Sequence, residues 1–240
     1  MFEPRIYRKS VDHPDLVGFR VCVAETDLQI AALSDLSALA LRAVKAARKE
    51  IEHEIARDQR FLTSLEPLPT PAGATDLIRS MYQAAAKAKV GPMAAVAGAV
   101  AEAVGEAVLA HSDQVIVENG GDIFLSTRTE RVIGVQAGAS PLSGRFGLVI
   151  PGGSRLGICT SSATVGHSLS FGKADAGMVI CQDAALADAL ATALTNRVKR
   201  PEDVPPALDW LQTVPEVKAA LVIIGETMGV WGEYELAPLS

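Results

Sequence analysis

Several short stretches of this chain carry side chains whose types and spacing could do chemistry. Glu118-Asn119-Gly120-Gly121-Asp122 sets an acid on each side of Asn-Gly-Gly. Asn-Gly suits a two-residue hairpin because both residues tolerate positive φ, and glycines there also let a backbone approach a ligand. Thr160-Ser161-Ser162 and Thr164 follow a strand-like run and lead into Gly166-His167-Ser168. Hydroxyls and free N–H groups in such a loop can hold an anion or a heterocycle, and a histidine can exchange a proton near neutrality. The plainer alternative is a Ser/Thr-rich turn with a surface histidine. In the run ADALATAL, Asp188 and Thr192 stand four residues apart and so share one helix face. A carboxylate and a hydroxyl one turn apart make half a site for Mg2+, which takes few protein ligands and completes its shell with water and phosphate oxygens. The alternative is a solvated Asp188 and a Thr192 bonded to its own i−4 carbonyl.

Other candidates carry less. IEHEIAR at 51–57 begins like a zinc-binding HExxH but ends in Arg57, so the second ligand is missing; His53 is expected on a solvated helix face. His13 precedes a proline, and His111 falls near a helix C-terminus, where a positive charge is mildly favoured. GxGxxG, the P-loop and the GxSxG elbow are absent. Cys22, Cys159 and Cys181 are far apart, odd in number and form no CxxC pair, which argues against a zinc or disulfide framework. Each lies in an apolar run and is expected to be a buried small hydrophobe.

The 240 residues, 49% hydrophobic and 21% charged, describe a globular chain able to build a core. With a net charge of −6, 5% aromatics and no basic block, no nucleic-acid partner is expected. MFEPRIYRKSVDHPD has no apolar core and no small-residue cleavage site and is not read as a signal peptide; the cysteine usage suits a reducing cytoplasm. Met93 to Ala110 is apolar but contains Glu102 and Glu106, costly in lipid. A helix buried against a close neighbour is the expectation, with no membrane.

The elements that must position these groups follow from periodicity. Arg5 to Val11 reads as a first strand, and Val17 to Ala24 with Leu28 to Leu33 as a hairpin. Asp35 to Asp58 repeats Leu36, Leu39, Ala43, Val44, Ala47, Ile51 and Ile55 at three- and four-residue steps, a helical pattern. Leu65 to Ala74, with three prolines, is a loop; helix runs from Thr75 to about Lys89, breaks at Gly91-Pro92 and resumes through Ala110. Strands are expected at Gln114 to Ser126, Arg131 to Ala137, Arg145 to Ile150, Arg155 to Thr160 and Ala176 to Cys181. Helix follows from Asp183 to about Val198 and near Ala207 to Leu211, then a strand pair, Ala219 to Gly225 and Val230 to Leu236. Helix blocks between strand blocks, without βαβ alternation, predict a single α+β domain over 1–240 with mostly antiparallel pairing.

Taken in order, the Gly-Gly-Asp turn, the Thr-Ser segment, the His167 loop and the AD-x-x-x-T helix resemble the ApbE-like superfamily of FAD:protein FMN transferases, over about Val90 to Val198. The resemblance implies a fold related to T-folds, FAD with Mg2+, and an acceptor protein. It implies Asp188 and Thr192 as metal ligands, Gly120, Gly121, Asp122, Thr160 and Ser161 as cofactor contacts, and His167 as the catalytic base. This chain departs from the pattern at Glu118, where the family has Asn, and at Ala97-Gly98, where it has Lys-Gly. It departs again at Ser162, and at Ser170-Phe171-Gly172-Lys173 in place of Asp-Pro-x-Thr-Gly. It is similar to a shorter, uncharacterised cytoplasmic branch. Two functions stay open, an Mg2+-dependent flavin transferase or a protein that holds a flavin, pterin or nucleotide without transferring it.

Overall fold

The computed structural model describes residues 13–163 and 172–239. The expected first strand at Arg5 to Val11 and the His167 loop lie outside them. Eleven strands and six α-helices follow in the order β1 (Val17–Val23), β2 (Thr26–Ala32), α1 (Ser37–Arg57), α2 (Arg60–Thr63), α3 (Asp76–Ala88), α4 (Val96–Leu109), β3 (Val115–Asn119), β4 (Asp122–Ser126), β5 (Arg131–Gly134), β6 (Phe146–Ile150), β7 (Arg155–Ser161), β8 (Ala176–Cys181), α5 (Ala184–Arg197), α6 (Val204–Gln212), β9 (Val217–Ile224), β10 (Thr227–Gly232) and β11 (Glu235–Pro238).

The α+β expectation holds. One eight-stranded sheet runs β1-β2-β3-β4-β7-β8-β9-β10 and a small sheet runs β11-β6-β5. Each strand pairing is antiparallel. Strand alternation divides the apolar residues between two layers. Val115, Val117, Phe124, Cys159 and Val179 face the helices. Ile116, Ile123, Leu125, Ile158 and Met178 face the small sheet.

The stretch from Pro92 to Leu109 is apolar and long enough, by length and composition, to cross a bilayer. In this fold it packs closely on its neighbours. A Cβ at Gly105 would sit 2.1 Å from the Phe124 ring, and one at Gly98 would sit 2.2 Å from the Ala184 carbonyl oxygen.

Two expectations are corrected. Cys159 and Cys181 are buried, but Cys22 is exposed. It lies on the edge strand β1, where Phe19 and Val21 turn inward and their neighbours therefore turn to water. Val230 to Leu236 is not one strand. Gly232 takes φ +129°, and the chain leaves the large sheet there and re-enters as β11 beside β6.

Candidate functional site

The hairpin turn is made by Gly120 (φ +69°) and Gly121 (φ +104°), with Asn119 paired to Asp122 across it. The turn residues are thus Gly-Gly rather than Asn-Gly, since only glycine accepts these angles freely. A side chain at Gly120 would meet none of the described residues within 4 Å, whereas a Cβ at Gly121 would lie 3.5 Å from the Thr160 carbonyl oxygen. Two neighbours brace the turn. Asn119 Nδ2 donates to the Ala97 carbonyl at 3.0 Å, and Gly121 N–H donates to Glu118 Oε1 at 2.9 Å.

Just past the turn, Asp122 is 7% exposed and stands opposite Cys159 in the ladder. It faces the helices, as Phe124 does two residues on. Asp188, on α5, is 8% exposed and accepts Gly98 N–H at 2.9 Å on Oδ2. The two carboxylates feel each other. Burial, and then the Asp188 charge, push Asp122 well above the usual carboxylate range, although the Cys159 thiol and Thr160 N–H bond to it. Burial pushes Asp188 up to about 7, opposed by the N–H groups of Gly98 and Ala97. Cys159 Sγ also lies 3.3 Å from the Ala184 carbonyl oxygen, so its one proton serves either that oxygen or Asp122, and burial raises the thiol as well; it is an inert packing group rather than a nucleophile.

Thr192 is half-buried one turn beyond Asp188, and Thr195 follows, fully buried, with Oγ1 3.5 Å from Ser161 Oγ. The 188, 192, 195 spacing puts all three on one face of α5. Strand alternation separates Ser161, which meets that face, from Thr160, which faces the small sheet and reaches the site through its backbone N–H to Asp122. The fold thus gathers Gly121, Asp122, Ser161, Asp188 and Thr192 around the junction of β4, β7 and α5. His167 lies outside the described residues. Sequence reasoning did not name Thr195 or the amides of Ala97 and Gly98. The i+7 spacing from Asp188 was the signal for Thr195, whereas nothing local signals an amide partner 90 residues away.

Among the described residues, no three His, Cys, Asp or Glu side chains converge as a metal-holding group. A cation held by this donor set would take further oxygens from hydroxyls, water and a phosphorylated ligand. Two facing buried carboxylates fit that role, because a divalent cation would offset the cost of their burial.

A two-layer antiparallel fold with this glycine turn beside an Asp/Thr helix defines an ApbE-type architecture. The apo flavinyl transferase ApbE of Pseudomonas stutzeri shares it with a TM-score of 0.59 at 12% identity, covering 90% of this chain and 93% of that one. The ApbE protein of Thermotoga maritima shares it with a TM-score of 0.60 at 14% identity, over 89% and 96%. The family described as AbpE bacteria matches residues 8–211, and the chain belongs to it. Its relatives include the UPF0280 protein of Methanocella arvoryzae, 45% identical over 88% of this chain and 86% of that protein. That of Methanoculleus marisnigri is 51% identical over 78% and 76%.

Proposed function

We propose that this chain binds FAD, or a related phosphorylated ligand, together with Mg2+, and acts as a flavin transferase or FAD-cleaving enzyme. The observation that carries the reading is the juxtaposition of Asp122 and Asp188, two buried carboxylates raised by burial, beside the Gly120-Gly121 turn. Asp188 and Thr192 would hold the cation by side-chain oxygens. Gly120, Gly121, Asp122, Thr160 and Ser161 would line the flavin, and His167 would serve as base. Among the described residues nothing lies within 4 Å of a Cβ built at Gly120, a position where a ligand could approach the backbone. When bound, Mg2+ supplies counter-charge to a pyrophosphate and polarises a phosphoryl oxygen. The protein's own part is to hold the carboxylates dry and to fix Asp188 with backbone amides. We read residues 1–240 as one domain acting in the cytoplasm on a small flavin-like ligand, with a Ser or Thr of an acceptor protein as partner.

The second reading, binding without transfer, is favoured by one observation. Ser170-Phe171-Gly172-Lys173 stands where the transferases carry Asp-Pro-x-Thr-Gly. Thermal unfolding with FAD and Mg2+ tests both readings. Saturation at a hundred times Kd stabilises the native state by roughly 2.7 kcal/mol, and omitting Mg2+ removes most of the shift. His167→Ala keeps the shift and stops FAD cleavage or transfer if the chain is an enzyme. If wild-type protein holds FAD without cleaving it, the second reading stands. The absence of a shift with FAD, FMN, a pterin or nucleotides refutes both.

A further inference from the structure

We propose that Glu102 is a positioning residue for the Asp188 carboxylate, closing a proton-sensitive latch between α4 and α5. The two helices cap each other. Glu102 of α4 accepts Ala184 N–H at 2.8 Å, with Ala185 N–H on the same carboxylate, at the first turn of α5. Asp188 of α5 accepts Gly98 N–H at 2.9 Å, with Ala97 N–H beside it, at the first turn of α4. Each carboxylate satisfies donors that a helix start leaves without an internal partner, and each sits at the positive end of the other helix.

The two rungs are mechanically one. Gly98 and Glu102 are four residues apart on α4, as Ala184 and Asp188 are on α5, so the rungs stand one turn apart on facing surfaces. A Cβ at Gly98 would lie 2.2 Å from the Ala184 carbonyl oxygen and 2.9 Å from Asp188 Cβ. A Cβ at Gly157 of β7 would lie 2.3 Å from Ala184 Cα. Ala184 is therefore wedged between α4 and β7, and a shift at its amide is transmitted to Asp188.

Glu102 changes charge in the neutral range. Burial, and then Asp183 at the start of α5, push its carboxyl up to about 7 against the pull of the two amides. Glu106, one turn further along α4, adds to the push and is itself ion-paired with Arg155 of β7. The packed elements bring three more buried carboxylates to this layer, Asp122 of β4 and Asp188 of α5 toward the Gly98 end and Glu54 of α1, which is tied to Arg57 and Tyr82. They turn apolar groups inward as well, Val44 and Ala47 from α1, Ala84 and Ala88 from α3, Val117 from β3 and Phe124 from β4. Ionised Glu102 makes charge-assisted bonds to the amides. Its protonation weakens them and releases the first turn of α5. The latch needs no ligand, so it is judged independently of the flavin reading.

The test uses the full chain labelled with 15N. Between about pH 6 and 8 the Ala184 and Ala185 amide resonances should titrate with a midpoint near 7 in the wild type and stay flat in Glu102→Gln. Hydrogen exchange of the Gly98 amide is measured relative to Ala220 in β9, which reports global unfolding. That ratio should rise about tenfold in Glu102→Ala, the size of one charge-assisted hydrogen bond. It should return close to wild type in Glu102→Gln, which keeps an acceptor. If the two alanine amides do not titrate in the wild type, or Glu102→Ala leaves the Gly98 ratio unchanged, the latch is overturned. An intact latch in a protein that binds no FAD would instead count against the flavin reading alone.

Discussion

Replacing Asp188 with Asn separates the cost of burying this carboxylate from its use. Burial raises the group from 3.8 to about 7. An acid whose folded pKa is raised holds its proton more tightly in the folded state. The folded protein is therefore favoured at low pH and loses stability as pH climbs from about 4 through 7. At about 1.36 kcal/mol per unit the span amounts to about 4 kcal/mol at most, and Asp122 shares in it. Asn keeps an oxygen for Gly98 N–H and offers an NH2 toward Asp122, and it carries no charge. In cation-free buffer near pH 8 the variant should be more stable than wild type by about 2–4 kcal/mol, melting roughly 4–16 °C higher for a chain of this size. The advantage should fall to near zero by about pH 4. Adding Mg2+ and FAD should offset most of that advantage, because only the wild type gains the roughly 2.7 kcal/mol of ligand stabilisation at a hundred times Kd. Circular dichroism melts of chelator-treated protein across this pH range read the effect. A variant less stable than wild type near pH 8 would mean that native interactions outweigh the burial cost, and the reasoning would fail.

Gly98→Ala should destabilise the chain by about 2 kcal/mol or more in urea unfolding, because its Cβ would sit 2.2 Å from a backbone oxygen. Tyr82→Phe removes the hydroxyl that donates to Glu54 Oε1 at 2.6 Å. It leaves Glu54 buried with one fewer donor, a loss of about 1–3 kcal/mol in the same assay. Thiol labelling of native protein should modify Cys22 alone, with Cys159 and Cys181 reacting only after denaturation, since they are buried; fast native labelling of either would contradict their packing.

Local pattern accounts for much of what is seen. The three- and four-residue apolar steps marked α1, and the turn residues marked most strands, because burial of one face imposes a period on the sequence. The same reasoning places Asp188 and Thr192 on one helix face. It failed at Cys22, because alternation assigns a face to each residue but does not say whether anything covers that face. At β1 no described residue does. It also failed at Val230 to Leu236, where one continuous run is split between two sheets at Gly232.

The sequence by itself determined the elements, their antiparallel character and the kinds of groups available for chemistry. Only the tertiary structure decided that Asp122 and Asp188, 66 positions apart in the chain, are buried close enough to feel each other's charge, and that Glu102 caps the helix bearing Asp188. Periodicity is a property of neighbours along the chain. Which carboxylate meets which depends on strand order and on how closely Gly98 and Gly157 let α5 approach, and those are set by burial summed over the whole fold.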